Sequence, residues 1–329
     1  MNDDFDFGIL NPWIKDDLIT DINYNGKQVW VDHLEKGRYP IEPFSAHEFM
    51  QAMAYKIANF VNLPFNISAP ILEAETKELR ISMLHQSVCR SGLSISIRKT
   101  PALLRINDQM MKAYAPVWVG NLLKDAIKGR CNILISGLPG SGKTELVKYL
   151  MKSIPAYQRV ITIEDSLELR YGEIHPQKDH VMIKVSPLFD YEAAIKAALR
   201  QRPDWICVSE VRGREVMQLI QSCSTGASVL STVHAENAHS IPQRLLHMMP
   251  DVDVTNTNLL ALVHSTMDLG VHLEIQSSPK GIHRKIKEIV YFYLDDQFKP
   301  KIKLIYSDSE SNTELTLKEL PSKGIHHEK

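Results

Sequence analysis

Between residues 93 and 98 the chain alternates Leu93, Ile95 and Ile97 with Ser94, Ser96 and Arg98. A period of two sends one set to a buried face and the other to an open one, so the run predicts a strand. Residues 79–83 predict another. Earlier, in DLITDINYNGKQVWVDH (17–33), two β-rich runs flank Asn25-Gly26 and predict a hairpin. Ser45-Ala46-His47-Glu48 has the form of a capping box and predicts a helix running to about Val61. After a mostly helical stretch at 100–130 the pattern changes. Short unbroken apolar runs at 132–136, 159–164, 205–209, 228–233, 268–273 and 287–293 alternate with helical segments. Unbroken apolar strands between helices predict a mainly parallel sheet covered on both faces. From about Asp308 the chain turns polar and predicts a loose tail.

These patterns divide the 329 residues into an α+β domain (1–105), a hinge (106–125), an α/β domain (126–307) and the tail (308–329). A net charge of -1 and a pI near 6.9 give no basic excess, which argues against a general nucleic-acid coat or a protein drawn to anionic membranes. The four cysteines, Cys89, Cys131, Cys207 and Cys223, show no CxxC spacing, so neither a zinc site nor a disulfide framework is expected. The acidic N-terminus MNDDFDFGIL lacks the form of a signal peptide, and no apolar run approaches the ~18 residues needed to span a bilayer. The expectation is a protein of the reducing cytoplasm, held at a membrane, if at all, by a partner.

The strongest local signal is GLPGSGKT, Gly137–Thr144, which matches GxxxxGK[ST] between an apolar strand and a helix. Gly137, Gly140 and Gly142 permit a tight turn, and with Leu138, Pro139, Ser141 and Glu145 they make up the expected nucleotide-binding segment, whose backbone amides would face an anion at a helix N-terminus. Lys143 suits the β- and γ-phosphates of ATP, and the Thr144 hydroxyl suits Mg²⁺. Two later strands end in acids. VITIEDSLEL (160–169) delivers Glu164 and Asp165, followed by Glu168; the competing reading is a helix cap at Asp165 or Ser166. PDWICVSEVRGRE (203–215) delivers Glu210, as metal-site carboxylate or as an exposed loop acid, while Asp204 opens that strand at the far end and reads as structural. A third strand, 228–233, ends at His234, which on its own reads as an ordinary surface or core histidine, although it too lies at a strand's C-terminal end.

Together these strings resemble the secretion ATPase superfamily, which serves type II secretion, type IV secretion, conjugation and pili. Its Walker A, Asp box, Walker B and His box match 137–144, 161–169, 202–215 and 224–238 in that order, and residues 19–38, 70–80 and 91–99 resemble its N-terminal domain. The likeness spans about 10–295 and is greatest to the short conjugation, type IV secretion and tight-adherence branch. Two positions depart from the pattern: Ala227 stands where a first His is usual, and Ser209 where Gly usually precedes the Walker B acid.

The resemblance implies a RecA-like P-loop C-terminal domain with a smaller PAS-like N-terminal domain, assembled into a ring-shaped homohexamer. ATP and Mg²⁺ would be bound, with Thr144 and Glu210 at the metal. Glu164 would orient or deprotonate water, His234 would sense the γ-phosphate or couple subunits, and Arg80 and Arg98 would supply phosphate-contacting guanidiniums. Membrane-embedded secretion or pilus proteins would hold the ring at the inner face of the cell membrane, with DNA or protein as cargo. The alternatives are a nucleic-acid-stimulated, helicase-like motor and an ATP-locked scaffold without turnover.

Overall fold

The computed structural model describes residues 5–42, 46–249, 257–278, 281–309 and 314–320. The chain divides into two units: residues 1–101 with 276–283, and residues 102–275 with 284–329.

The N-terminal unit opens with α1 (Asn11–Lys15) and the hairpin β1 (Ile19–Tyr24) and β2 (Val29–His33), followed by β3 (Gly37–Pro40). Then come α2 (His47–Phe60), β4 (Ile71–Glu75), β5 (Leu79–Leu84) and β6 (Ser94–Lys99). The six strands form one antiparallel sheet in the order β3-β2-β1-β6-β5-β4. Ile22, Val31, Ile81, Ile95 and Ile97 share a core with Met50, Met53, Ala54 and Ile57 of α2, so period two on the sheet meets the 3.6-residue period of the helix. Gly26 closes the predicted turn at φ 92°. Ser45 of the predicted capping box lies outside the described residues, and Ala46 at the N-cap makes no side-chain bond.

In the second unit, α3 (Asp108–Tyr114) and α4 (Val117–Lys128) precede β7 (Ile133–Gly137) and α5 (Lys143–Met151). Next are β8 (Val160–Glu164), α6 (Tyr171–Ile174), β9 (His180–Lys184), α7 (Tyr191–Leu199) and β10 (Trp205–Val211). The remaining elements are α8 (Glu215–Ser224), β11 (Ser228–Val233), α9 (Ile241–Met248), α10 (Thr257–Thr266), β12 (Leu269–Ser278), β13 (Gly281–Leu294) and β14 (Pro300–Ser307), of which residues 276–278 of β12 and 281–283 of β13 belong to the N-terminal unit. The sheet order is β14-β13-β12-β7-β11-β10-β8-β9, parallel from β12 through β9, with β14 antiparallel to β13. One core lies on each face. Leu146, Val147, Leu150 and Trp205 belong to one, and Ile161, Ile163, Ile206, Val208 and Val229 to the other.

The segment expected to be a hinge, 106–125, folds into α3 and most of α4, and Val119, Leu122 and Leu123 are part of the P-loop unit's core. The expected loose tail also differs. Leu320 is buried, and Leu315 and Leu317 pack on the same core, so this short apolar set fixes residues 315–320 despite the polar run before it. Among the described residues no helix is long and apolar enough to cross a membrane.

Candidate functional site

Because β7, β8, β10 and β11 run parallel, their C-terminal ends share one sheet edge. In open α/β sheets that edge is where ligands bind. Gly137 ends β7, Glu164 ends β8, Glu210 is the penultimate residue of β10, and His234 follows β11 directly.

The loop from β7 into α5 depends on glycine at two places. At Gly137, φ is 149° and a Cβ would stand 2.6 Å from both the Leu273 carbonyl oxygen and Ser141 Oγ. Gly142 adopts φ 91° as the N-cap of α5, which frees the first-turn amides of a nine-residue helix. Arg284 on β13, which sequence reading passed over, donates from Nε to the Gly140 carbonyl at 2.9 Å and buttresses the loop. Leu138 at the tip is exposed, whereas Ser141 is buried and its hydroxyl has no hydrogen-bond partner.

Lys143 is buried and donates from Nζ to the carbonyls of Gly137 (2.8 Å) and Leu138 (3.3 Å). Burial lowers its pKa, and the negative charges of Glu210 and Glu168 oppose that shift. Thr144 donates from Oγ1 to Glu168 Oε2 at 3.2 Å. Glu145 has a structural role: it accepts from Lys148 Nζ at 3.0 Å and from the Arg105 amide at 3.4 Å.

Glu164 has no solvent exposure. Its Oε2 accepts from the amides of Glu168 (2.8 Å) and Leu169 (2.7 Å), while Oε1 is buried with no hydrogen-bond partner. Burial pushes its pKa up to about 7, against the pull of those two amides. Residues 165–170 contain no helix, so the capping alternative at Asp165 or Ser166 is not what the chain adopts. Glu164 instead staples the turn that brings Glu168 to Thr144. Glu168 was visible in the string but had no strand end to mark it.

Glu210 is held on both sides. Oε1 lies 2.7 Å from His234 Nε2, and Oε2 accepts from Arg212 at 2.7 Å. Burial and the Lys143 charge lower the His234 pKa while Glu210 raises it, and the net shift is downward. A neutral imidazole donating from Nε2 accounts for both the short distance and the direction of that shift. Arg212 also donates to Asp165 Oδ2 at 2.9 Å, and its pKa is raised by the Glu210 bond. The Ser209 hydroxyl is 3.3 Å from Tyr191 Oη, and the Ser209 carbonyl accepts from Thr232 Oγ1 at 2.7 Å. Ala227 precedes the opposite end of β11 from His234, about 20 Å along a six-residue strand, so the departure there lies far from the edge that carries Glu164 and Glu210. Asp204 is structural, as read: it accepts from the Arg159 amide at 2.8 Å and pairs with Arg130 at 3.5 Å.

Arg80 and Arg98 belong to the N-terminal unit and are direct cross-strand neighbours on β5 and β6. They belong to a row that crosses all six strands: Arg38, Asp32, Asp21, Arg98, Arg80, Glu75. Asp21 accepts from Arg98 at 2.9 Å. Two guanidiniums side by side repel, and the acids flanking the pair, Asp21 and Glu75, offset that.

A family model described as type II/IV secretion system protein matches residues 65–276. The chain belongs to that family. All of the predicted P-loop, acidic, histidine and arginine positions fall inside the match. The type IV secretion system protein PtlH of Bordetella pertussis is 29% identical over 325 residues, covering 88% of this chain and 94% of PtlH. A Bacillus anthracis protein described as uncharacterized is 31% identical over 244 residues, and the chain spans 55% of its length. The solved structure of the Legionella pneumophila ATPase DotB has the same fold, with a TM-score of 0.62 at 16% identity, covering 88% of this chain and 82% of DotB. The family is one of secretion-system ATPases, and PtlH is named for type IV secretion.

Proposed function

We propose that this chain is a Mg²⁺-dependent ATPase subunit of a type IV secretion or conjugation machine, working as a homohexameric ring at the inner face of the cell membrane. The observation that supports this most is the convergence at one sheet edge. Lys143 feels the charges of both Glu168 and Glu210, Thr144 bonds Glu168, and His234 bonds Glu210. Family membership then supplies the nucleotide, and PtlH supplies the secretion context.

Among the described residues no cluster of three or more His, Cys, Asp or Glu forms a ready metal cage. That suits Mg²⁺, which binds through one or two protein oxygens plus substrate phosphates. The donor set is all oxygen: the Thr144 hydroxyl, with Glu168 and Glu210 behind it. When bound, the ion would neutralise charge on the terminal phosphates.

The loop amides and the α5 N-terminus bind the phosphates, and Lys143 exchanges its two carbonyl partners for phosphate oxygens. Glu164 fixes Glu168 and remains a candidate proton acceptor, since a pKa of about 7 suits that role. Arg80 and Arg98 are the proposed arginines that offset charge developing on the transferred group. The N-terminal unit fits the PAS-like reading, since its first strand, β1, pairs with its last, β6, and α2 covers one face.

Phosphate release by purified protein tests the assignment. Lys143→Ala and Glu210→Gln are expected to lower turnover by roughly a hundredfold or more while leaving circular dichroism unchanged. Wild-type turnover in Lys143→Ala would remove the P-loop from the account. Light scattering with and without a non-hydrolysable ATP analogue tests the ring, which fails if only monomers are seen.

A further inference from the structure

The residue that ties the acidic strand ends together is Arg212, which has no part in the roles given above. Its guanidinium bridges two carboxylates from adjacent strand ends, Asp165 after β8 at 2.9 Å and Glu210 on β10 at 2.7 Å. The turn that carries it is fixed from behind. The amides of Arg212 and Gly213 both donate to Glu215 Oε1, at 2.6 and 2.9 Å, and Glu215 is buried in the first turn of α8. Asp165 is fixed as well, through its amide on Tyr191 Oη at 3.0 Å. The scaffold therefore delivers one planar cation between two acids, a task that suits the arginine fork better than a lysine.

The other Glu210 oxygen is taken by His234 at 2.7 Å. Both oxygens of Glu210, the carboxylate proposed for the metal, are thus engaged, and Thr144 bonds Glu168. A divalent ion arriving with nucleotide must compete with Arg212 for Glu210. Arg212 is half exposed, at 55% of its side chain, so it has somewhere to go and its bonds are screened by salt.

We propose that Arg212 is a positioning residue that competes with the divalent cation for Glu210. It holds Asp165 and Glu210 together and thereby sets how much Mg²⁺ the site requires. The inference rests on the ATP·Mg²⁺ reading of the site and adds to it a competition between the protein's own cation and the metal. Without Arg212 the two acids lose a counter-ion, so they attract the metal more strongly.

The probe is a fluorescent ADP analogue bound at fixed concentration while MgCl₂ is titrated, which reads binding rather than turnover. Arg212→Gln is expected to lower the Mg²⁺ concentration for half-maximal binding by about three- to tenfold, the range set by two screened ion pairs. Arg212→Lys, whose single ammonium cannot span both acids, is expected to fall between. The difference between variant and wild type should shrink in 0.5 M NaCl, roughly three-fold shorter in screening length than 0.05 M. An unchanged or higher Mg²⁺ requirement in Arg212→Gln, with wild type binding normally, overturns the competition alone. Failure of the wild type to bind the analogue at any Mg²⁺ concentration overturns the nucleotide-site reading and this inference with it. Far-ultraviolet circular dichroism of both variants, expected to match wild type because the side chain is half exposed, assigns any shift to the site.

Discussion

Glu164→Gln should stabilise the P-loop unit in a way that depends on pH. The side chain is wholly buried, and its pKa stands at about 7 against an ordinary 4.5. The folded state therefore holds its proton over a range where the unfolded chain has lost it. For an acid whose folded pKa is raised, stability is undiminished below pH 4.5, falls as pH rises from 4.5 to about 7, and stays reduced above. At about 1.4 kcal/mol per pH unit, that interval is worth about 3 kcal/mol. Glutamine keeps an acceptor oxygen for the amides of Glu168 and Leu169 and cannot ionise. Its NH₂ group, placed where Oε1 has no partner, brings a fixed cost of about 1 kcal/mol at every pH. Urea unfolding followed by Trp205, buried in the same unit, should show the variant gaining about 3 kcal/mol on wild type between pH 5 and pH 8. Other titrations cancel because both proteins share them. A difference that is flat with pH would refute the reasoning and place the Glu164 proton elsewhere.

Two further substitutions probe opposite ends of the sheet. Gly137→Ala is expected to abolish nucleotide binding and cost about 2 kcal/mol or more, since its Cβ would stand 2.6 Å from the Leu273 carbonyl oxygen; a nucleotide titration and a melting curve check it. Asn132→Ala, at the edge remote from the phosphates, should cost about 2 kcal/mol yet leave nucleotide affinity intact. Its side chain accepts from the Val229 amide at 2.8 Å and donates to the Thr266 carbonyl at 2.7 Å; the same two assays check it.

The buried parallel strands were legible in the sequence because both their faces are covered, and they read as unbroken apolar runs: ILISG, VITIE and SVLSTV. The strands that escaped notice were β3, β4, β9 and β14, and these are the four sheet edges. Edge strands carry the charges and prolines that blunt unwanted pairing, as in PKIKLIYS and HVMIK, and those residues break the pattern that reveals a strand. Within the candidate site, Lys143, Thr144, Glu210 and His234 stand out in the sequence because motif spacing ties each to a strand or helix end. Glu168, Arg212 and Arg284 could not, because their places follow from a turn stapled by Glu164, a turn held by Glu215 and a strand more than a hundred residues along the chain. Reading Glu164 for its chemistry also concealed its more immediate work of shaping that turn.

The most direct test is a crystal structure with Mg²⁺ and a non-hydrolysable ATP analogue. The account predicts the β- and γ-phosphates between the 137–143 amides, with Lys143 Nζ moved from the Gly137 carbonyl to phosphate oxygen, Thr144 Oγ1 on the metal, and Glu168 and Glu210 facing it. Phosphates bound elsewhere, with Lys143 still on its two carbonyls, would contradict it.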